Sequence, residues 1–455
     1  MDEVSLQEML EAREARAKAQ RRLLEEYPGT LLCFTMNIAG PIKTGPLILR
    51  AFAQGLRALD RALCGAVRHR AIVREKTGCE AFYALSMDAR TAKAIAVQIE
   101  DASPMARLFD LDVLGADGVK LERQALGLPA RRCLLCDAPA ARCARSRQHS
   151  VEALQRETFA RLRAGLDDAD AARIADCACR ALLYEVATTP KPGLVDRAGS
   201  GSHRDMDFYT FLDSALALRP YFARCVRIAR AGGTPEETFC RLRPAGLRAE
   251  GEMRAATHGV NTHKGAIFTL GLLCAAAARL ETDTPAPQEI LDEAARMTQG
   301  LVARDLAGLA PEAARSAGAR LYLSEGVTGV RGQAEAGFPA ISRVGLPRLT
   351  QGLARGLSID EAGAAALLWM LAQVEDTNMM TRSSPSRARE VAAELRARLE
   401  KEPFPGRETL QALDSAFVAE NLSPGGSADL LAGCYFLHFL SSGTIQKNTP
   451  EKRGL

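Results

Sequence analysis

The chain has 455 residues, of which 47% are apolar and 25% charged, an ordinary soluble composition that excludes wholesale disorder, a fibrous repeat and a disulfide-dense miniprotein. At roughly 100–200 residues per domain, this length suggests two or three domains. Aromatics at 5% and abundant Ala and Leu favour helices over an all-β architecture, and a formal net charge of +4 is too small to predict a nucleic-acid partner.

In chain order, residues 1–26 form an amphipathic helix candidate, with Val4, Leu6, Met9 and Leu10 apolar among Arg, Lys and Glu. The stretch lacks the apolar core of a signal peptide, so a cytoplasmic location and twelve reduced Cys are expected. Residues 31–34 (LLCF), 94–99 (AIAVQI) and 108–114 (LFDLDVL) read as strands, giving an α+β first half. Residues 131–150 are basic, rich in Cys and turns, and close that half. A charged helix over 151–166 begins a connector placed at 151–172. Beyond it the pattern is helical almost throughout, broken by Gly/Pro/Asn-rich loops that hold the unusual polar groups. The apolar runs 265–278 and 362–374 are too short to span a bilayer and read as buried helices. Cys177, Cys179, Cys225, Cys240 and Cys274 lie in helix-like stretches and read as small buried hydrophobes.

In the first half, Asp110 and Asp112 sit i, i+2 on a strand and so face the same way. Two converging carboxylates repel unless a cation lies between them, and Mg²⁺, with its preference for oxygen ligands, fits; the bland reading is a solvated pair on an edge strand. Cys133, Cys136, Cys143 and His149 have a spacing able to supply tetrahedral zinc, against the alternative of a reduced Cys-rich turn. A zinc there would position Arg131, Arg132, Arg142, Arg145 and Arg147 for phosphates.

In the second half, the loop 188–207 combines Lys191, Arg197 and Arg204 with Asp196, Asp205 and Asp207, and with His203 between them. Glu250 and Arg254 share a helix face, and Asn261, His263 and Lys264 precede an apolar helix whose N-terminus suits an anion. Arg331 and Glu335 are i, i+4. Glu375 and Asp376 at the end of a buried helix call for magnesium or a paired Arg, with Asn378 beside them. Ser423 reads as an N-cap with Pro424 at the first helical position. Gly425, Gly426 and Ser427 would then open backbone N–H groups to phosphate, ahead of Asp429. No phosphate-binding G-x4-G-K-[ST] loop, no strand-linked G-x-G-x-x-G and no G-x-S-x-G elbow is present.

FTMNIAGPIKTGPL, RLFDLDV and LGLPARRCLLCDAPAARCARSRQHS together resemble the citrate lyase holo-acyl-carrier-protein synthase family over about 5–150. PKPGLVDR, GSHRDMD, GVNTHKGAIF, EDTN and SPGGSADLLA, in that order, resemble the triphosphoribosyl-dephospho-CoA synthase family over about 170–445. The resemblance implies an α+β, nucleotidyltransferase-like domain over 1–150, the connector, and an all-α synthase domain over 173–455. It implies a bifunctional transferase. The synthase joins ATP to 3′-dephospho-CoA, releasing adenine. The transferase then passes phosphoribosyl-dephospho-CoA to a Ser of the apo acyl carrier (gamma) subunit of citrate lyase, releasing diphosphate. Asp110 and Asp112 become the transferase's metal-holding, catalytic pair. In the synthase a base is expected among Glu250, Glu375 and Asp376. Magnesium would be held by the remaining acids and Asp196. Lys191, Arg197, Lys264 and the turn Ser423, Gly425, Gly426, Ser427 would hold phosphates, and His203 or His263 would help adenine depart. Asp205, Asn261, Arg331, Asn378 and Asp429 complete the expected binding set. Gln333 stands where the family pattern leads us to expect an acid, which Glu335 could replace. Two other readings stay open: the same chemistry serving malonate decarboxylase, and a non-catalytic nucleotide-binding protein with a zinc-stapled basic module.

Overall fold

The computed structural model describes residues 3–314 and 316–442; the end of the expected helical domain, 443–455, lies outside the described residues. The chain divides into two compact units, Met1–Ala169 and Asp170–Leu455.

The first unit runs α1 (Leu6–Glu26), β1 (Thr30–Met36), α2 (Pro46–Ala62), β2 (Val67–Glu75), β3 (Gly78–Leu85), α3 (Ala89–Asp101), β4 (Phe109–Leu114), α4 (Ala140–Ser146) and the start of α5 (Val151–Ala187). Its four strands form an antiparallel sheet in the order β2-β3-β1-β4. Strand alternation sorts the side chains between two faces. Leu32, Phe34, Tyr83, Leu111 and Val113 meet α2, α3 and Leu162 and Leu166 of α5 on one face. Leu31, Cys33, Phe82 and Ala84 meet Leu23 of α1 on the other. A reciprocal capping box between Ser5 and Glu8 starts α1. Residues 94–99, expected as a strand, lie inside α3: Asp88 caps its start through Thr91, and Ala92, Ala96 and Ile99 bury one helical face. An apolar run of six cannot separate the two periods, and the cap eight residues upstream of Ala96 decides it. The β2–β3 hairpin is a further element: β2 is polar and largely exposed, while β3 carries the buried run Ala81–Leu85.

The second unit is helical. It contains the rest of α5, then α6 (Phe208–Arg230), α7 (Pro235–Ala256), α8 (Lys264–Arg279), α9 (Pro287–Met297), α10 (Leu301–Leu306), α11 (Ala317–Glu325), α12 (Gly329–Glu335), α13 (Leu346–Ala354), α14 (Ile359–Leu371), α15 (Thr377–Arg382), α16 (Pro385–Lys401), α17 (Arg407–Ala419) and α18 (Gly425–Ser441). Helices α8, α14 and α18 are apolar nearly all round and occupy its core, as their runs of buried Ala and Leu require. The charged helix expected to end at 166 continues to 187, because Ile174, Ala178, Ala181 and Leu182 give its later turns a core face. Cys179, Cys225 and Cys274 are buried as expected and Cys177 partly so, but Cys240 is exposed on the outer face of α7. No helix among the described residues is long and apolar enough to cross a membrane.

Candidate functional site

In the first unit, Asp110 and Asp112 project from β4 on the face opposite Leu111 and Val113. Burial and the negative charge of Asp112 push the Asp110 carboxyl up, against the pull of the Arg131 and Lys120 cations. Each acid has a cation of its own: Arg131 lies 3.3 Å from Asp110, and Lys120 2.6 Å from Asp112. Arg131 also lies 3.7 Å from the buried Glu100 and donates to the carbonyls of Arg107 and Phe109, both at 2.8 Å. Glu100 accepts the Leu111 amide at 2.9 Å while buried Lys93 donates to the Leu111 carbonyl at 2.9 Å, so a charged pair braces β4 at the acids. Glu100 and Lys93 escaped the sequence reading; their signal is a charged residue at each end of the apolar stripe of α3, seven apart and so on one helical face.

In the second unit, the loops singled out by sequence interlock. Asp376 at the start of α15 accepts from the amides of Asn378 (3.0 Å) and Met379 (3.1 Å), and from the amide (2.7 Å) and hydroxyl (2.9 Å) of Ser427. The N-terminal amides of α18, expected to hold phosphate, are thus met by a carboxylate of the protein itself. Pro424 occupies the cap and the helix begins at Gly425, so Ser423 is not the N-cap. The two glycines answer to this approach: a Cβ on Gly426 would lie 3.1 Å from the Asp376 carboxylate, and one on Gly425 2.5 Å from the Asn378 amide. Asp429, one turn on, accepts from the Ala266 amide at the start of α8. A Cβ on Gly265 would fall 1.9 Å from its carboxylate.

Lys191 is buried and ion-paired with Glu185, with its ammonium also donating to the Glu185 carbonyl at 2.9 Å. It is therefore closed to a phosphate, contrary to expectation. Glu185 is the principal residue missed; its signal is a lone acid in the apolar run LLYEVA. Burial raises the Glu185 and Asp376 carboxyls. Asp429 is raised well above the usual carboxylate range, by burial and then by the charges of Glu185 and Asp376. As a whole residue Asp429 is only partly buried.

His263 is buried, and its Nδ1 meets the Ser214 hydroxyl at 2.6 Å. Thr262 donates to that hydroxyl at 2.7 Å, and the other ring nitrogen, Nε2, is buried with no partner among the described residues. Burial and the Lys191 charge push this imidazole down to about 3, so it is neutral at pH 7. His203 has both nitrogens engaged, with Ser423 at 2.9 Å and Arg382 at 3.5 Å. Asp196 is a loop-former, accepting the amides of Lys191, Ala198 and Gly199.

Several expected partners do not come together. Glu375 is half-exposed and pairs with Arg389 at 3.0 Å, while Asp376 turns inward, so the two do not converge on one ion. The cause is local: Asp376 caps α15 in an extended backbone conformation, in which successive side chains point apart. Arg331 pairs with Asp305 (3.1 Å), not with Glu335. Glu335 instead holds the amides of Gly300 (3.0 Å) and Val302 (2.8 Å), and Gln333 accepts the Ala340 amide at 3.1 Å. Arg197 pairs with Asp360, and Glu250 lies 3.1 Å from Lys264 and 3.8 Å from Arg254. Asp205 and Asn261 are exposed.

Residues 4–164 match the family described as CitX, apo-citrate lyase phosphoribosyl-dephospho-CoA transferase, and residues 171–448 that described as CitG, ATP:dephospho-CoA triphosphoribosyl transferase. The chain is 35% identical to Protein CitXG of Haemophilus influenzae, over 96% of both chains. It is 32% identical to Protein CitXG of Leuconostoc mesenteroides subsp. cremoris, over 96% of this chain and 97% of that one. Its second part is 40% identical to a 2-(5''-triphosphoribosyl)-3'-dephosphocoenzyme-A synthase of Pectobacterium atrosepticum, over 57% of this chain and 86% of that one.

Proposed function

The chain belongs to the CitXG family, in which a CitX part precedes a CitG part, and from this premise we propose that it performs two consecutive steps of citrate lyase prosthetic-group synthesis. It is a transferase. Its second unit makes 2′-(5″-triphosphoribosyl)-3′-dephospho-CoA from ATP and 3′-dephospho-CoA and releases adenine. Its first unit passes phosphoribosyl-dephospho-CoA to a Ser of the apo acyl carrier subunit of citrate lyase and releases diphosphate. The CitX match favours citrate lyase over malonate decarboxylase, and two matched transferase families leave no place for the non-catalytic reading. Both small substrates belong to the cytoplasm, where we place the protein.

The observation that supports a synthase site most is the convergence of GVNTHKG, EDTN and SPGGSAD on one cluster with Lys191 and Glu185. The 2′-hydroxyl of dephospho-CoA attacks ribose C1″ of ATP. The new C–O bond forms as the bond to adenine breaks, through an oxocarbenium-like state. A base must take the hydroxyl proton, and a carboxylate raised above its ordinary value and not wholly buried suits that task. Asp429 has both properties, and Asp376, buried and saturated with hydrogen bonds, holds α18 in place. Glu375 is spent on Arg389. His263, neutral and with Nε2 free of partners among the described residues, is the group available to hydrogen-bond the departing adenine. Lys264, Arg197 and Arg331 are partly or fully exposed cations that would exchange their partners Glu250, Asp360 and Asp305 for the triphosphate. Magnesium, bound with the triphosphate, would neutralise its charge.

In the first unit, read as nucleotidyltransferase-like, Asp110 and Asp112 fit a magnesium that neutralises the leaving diphosphate. Arg131 and Lys120 hold the acids in place and present positive charge beside them. The test is adenine release from ATP, with and without dephospho-CoA. Adenine formed only with both substrates supports the reading; ADP or AMP in its place contradicts it.

A further inference from the structure

We propose that Cys133, Cys136, Cys143 and His149 bind one zinc ion, and that this ion folds the segment that delivers Arg131 to Asp110. The four ligand atoms all lie within 4.8 Å of one another. Cys136 Sγ is 3.5 Å from Cys143 Sγ and 3.3 Å from His149 Nε2. A tetrahedron with Zn–S of about 2.3 Å has edges of about 3.8 Å, so the donors already stand at nearly the required separations. Three thiols and an imidazole select zinc over magnesium or calcium. An iron–sulfur cluster, whose ligands attach to separate iron atoms, needs a wider spread. A disulfide would use two of the four donors and leave the convergence of the other two without a cause.

The second support is independent of the ligands. From 115 to 150, Cys143 is the single buried residue among those described. A segment of that length with no apolar core needs another source of folding free energy, and a structural metal supplies it. The local backbone is built for ligation. An isolated bridge pairs Arg132 with Pro139, the Cys133 amide donates to the Ala138 carbonyl at 2.8 Å, and the Cys-x-x-Cys turn lies inside that loop. Arg131 stands two residues before the first ligand and spans Asp110, Glu100 and two carbonyls. The position of Arg131 therefore depends on the fold of the loop. This part of the inference rests on reading the first unit as the carrier transferase.

The test uses the full chain, purified without added metal, with zinc measured by mass spectrometry and cobalt(II) exchanged in as a spectroscopic probe. We expect one zinc per chain, and for the cobalt form the intense visible bands of tetrahedral thiolate ligation. Cys136→Ser should lose the metal, and Cys240→Ser, exposed on α7, should keep it. Chelated wild type should lose carrier modification by about tenfold or more, restored by zinc, with adenine release unchanged. A metal-free wild type that takes up no cobalt overturns the site. A metal-free chain that modifies carrier at the full rate overturns the role. Zinc-loaded wild type that never modifies carrier counts against the transferase reading and leaves the metal site standing.

Discussion

Asp429 and His263 owe their properties to burial beside named charges, and each makes a prediction. Asp429→Asn keeps the shape and the acceptor toward Ala266 but removes the base, so adenine release should fall by about 100-fold or more. Carrier modification from pre-formed donor should not change; an unaltered rate of adenine release would remove Asp429 from the chemistry. His263 affects stability through pH. Its folded form resists protonation until about 3, whereas the unfolded imidazole takes a proton near 6.5. Falling pH therefore favours the unfolded chain, by about 1.4 kcal/mol at about pH 5.5 relative to pH 8. The raised carboxyls of Asp376 and Asp429 act with the opposite sign: they bind protons more readily when folded and so stabilise as pH falls through their raised values. Comparing wild type with His263→Asn by urea unfolding at both pH values isolates the histidine, and an identical pH slope in the two proteins would contradict its assignment.

Helix ends carry the proposed synthase site, and the elements show why some of it could be read from sequence and some could not. Gly265, the second residue of α8, faces the Asp429 carboxylate, so Gly265→Ala should cost about 1–3 kcal/mol by overpacking and disturb adenine release together with stability. Lys191→Met strands Glu185 and should cost about 3–5 kcal/mol, with much of it recovered in the Glu185→Gln/Lys191→Met double variant. A Lys191→Met protein of wild-type stability would show that the Lys191–Glu185 pair does not hold this cluster together. The motifs are legible because carboxylates, Asn, Lys and paired glycines crowd within a few residues of one loop, a density that random polar loops rarely hold. Partner choice was hidden, because it depends on residues far apart in the chain. Asp376 reaches Ser427, not Glu375's ion; Arg331 reaches Asp305, not Glu335; Lys191 turns back to Glu185. The same limit produced the error at 94–99, where a short apolar run carries no period of its own, and the omission of the hairpin, whose outer strand is mostly polar. The apolar helices α8 and α14 were legible because a long apolar run leaves one reading.

At the scale of the whole chain, each unit has its own proposed acid site, one on a strand of a small antiparallel sheet and one at the helix ends of an all-helical body. Separate sites predict separable losses. Asp112→Asn should stop carrier modification while leaving adenine release at the wild-type rate, and an equal fall in both would contradict the division of labour. The order of the steps follows from the chemistry, since the donor consumed by the first unit is the product of the second. The most direct test is one reaction: the chain, ATP with magnesium, 3′-dephospho-CoA and the apo acyl carrier subunit of citrate lyase, read by mass. The account predicts adenine, diphosphate, an intermediate with the mass of ATP plus dephospho-CoA less adenine, and a carrier heavier by one phosphoribosyl-dephospho-CoA. A carrier of unchanged mass, or one modified without adenine being formed, would contradict it.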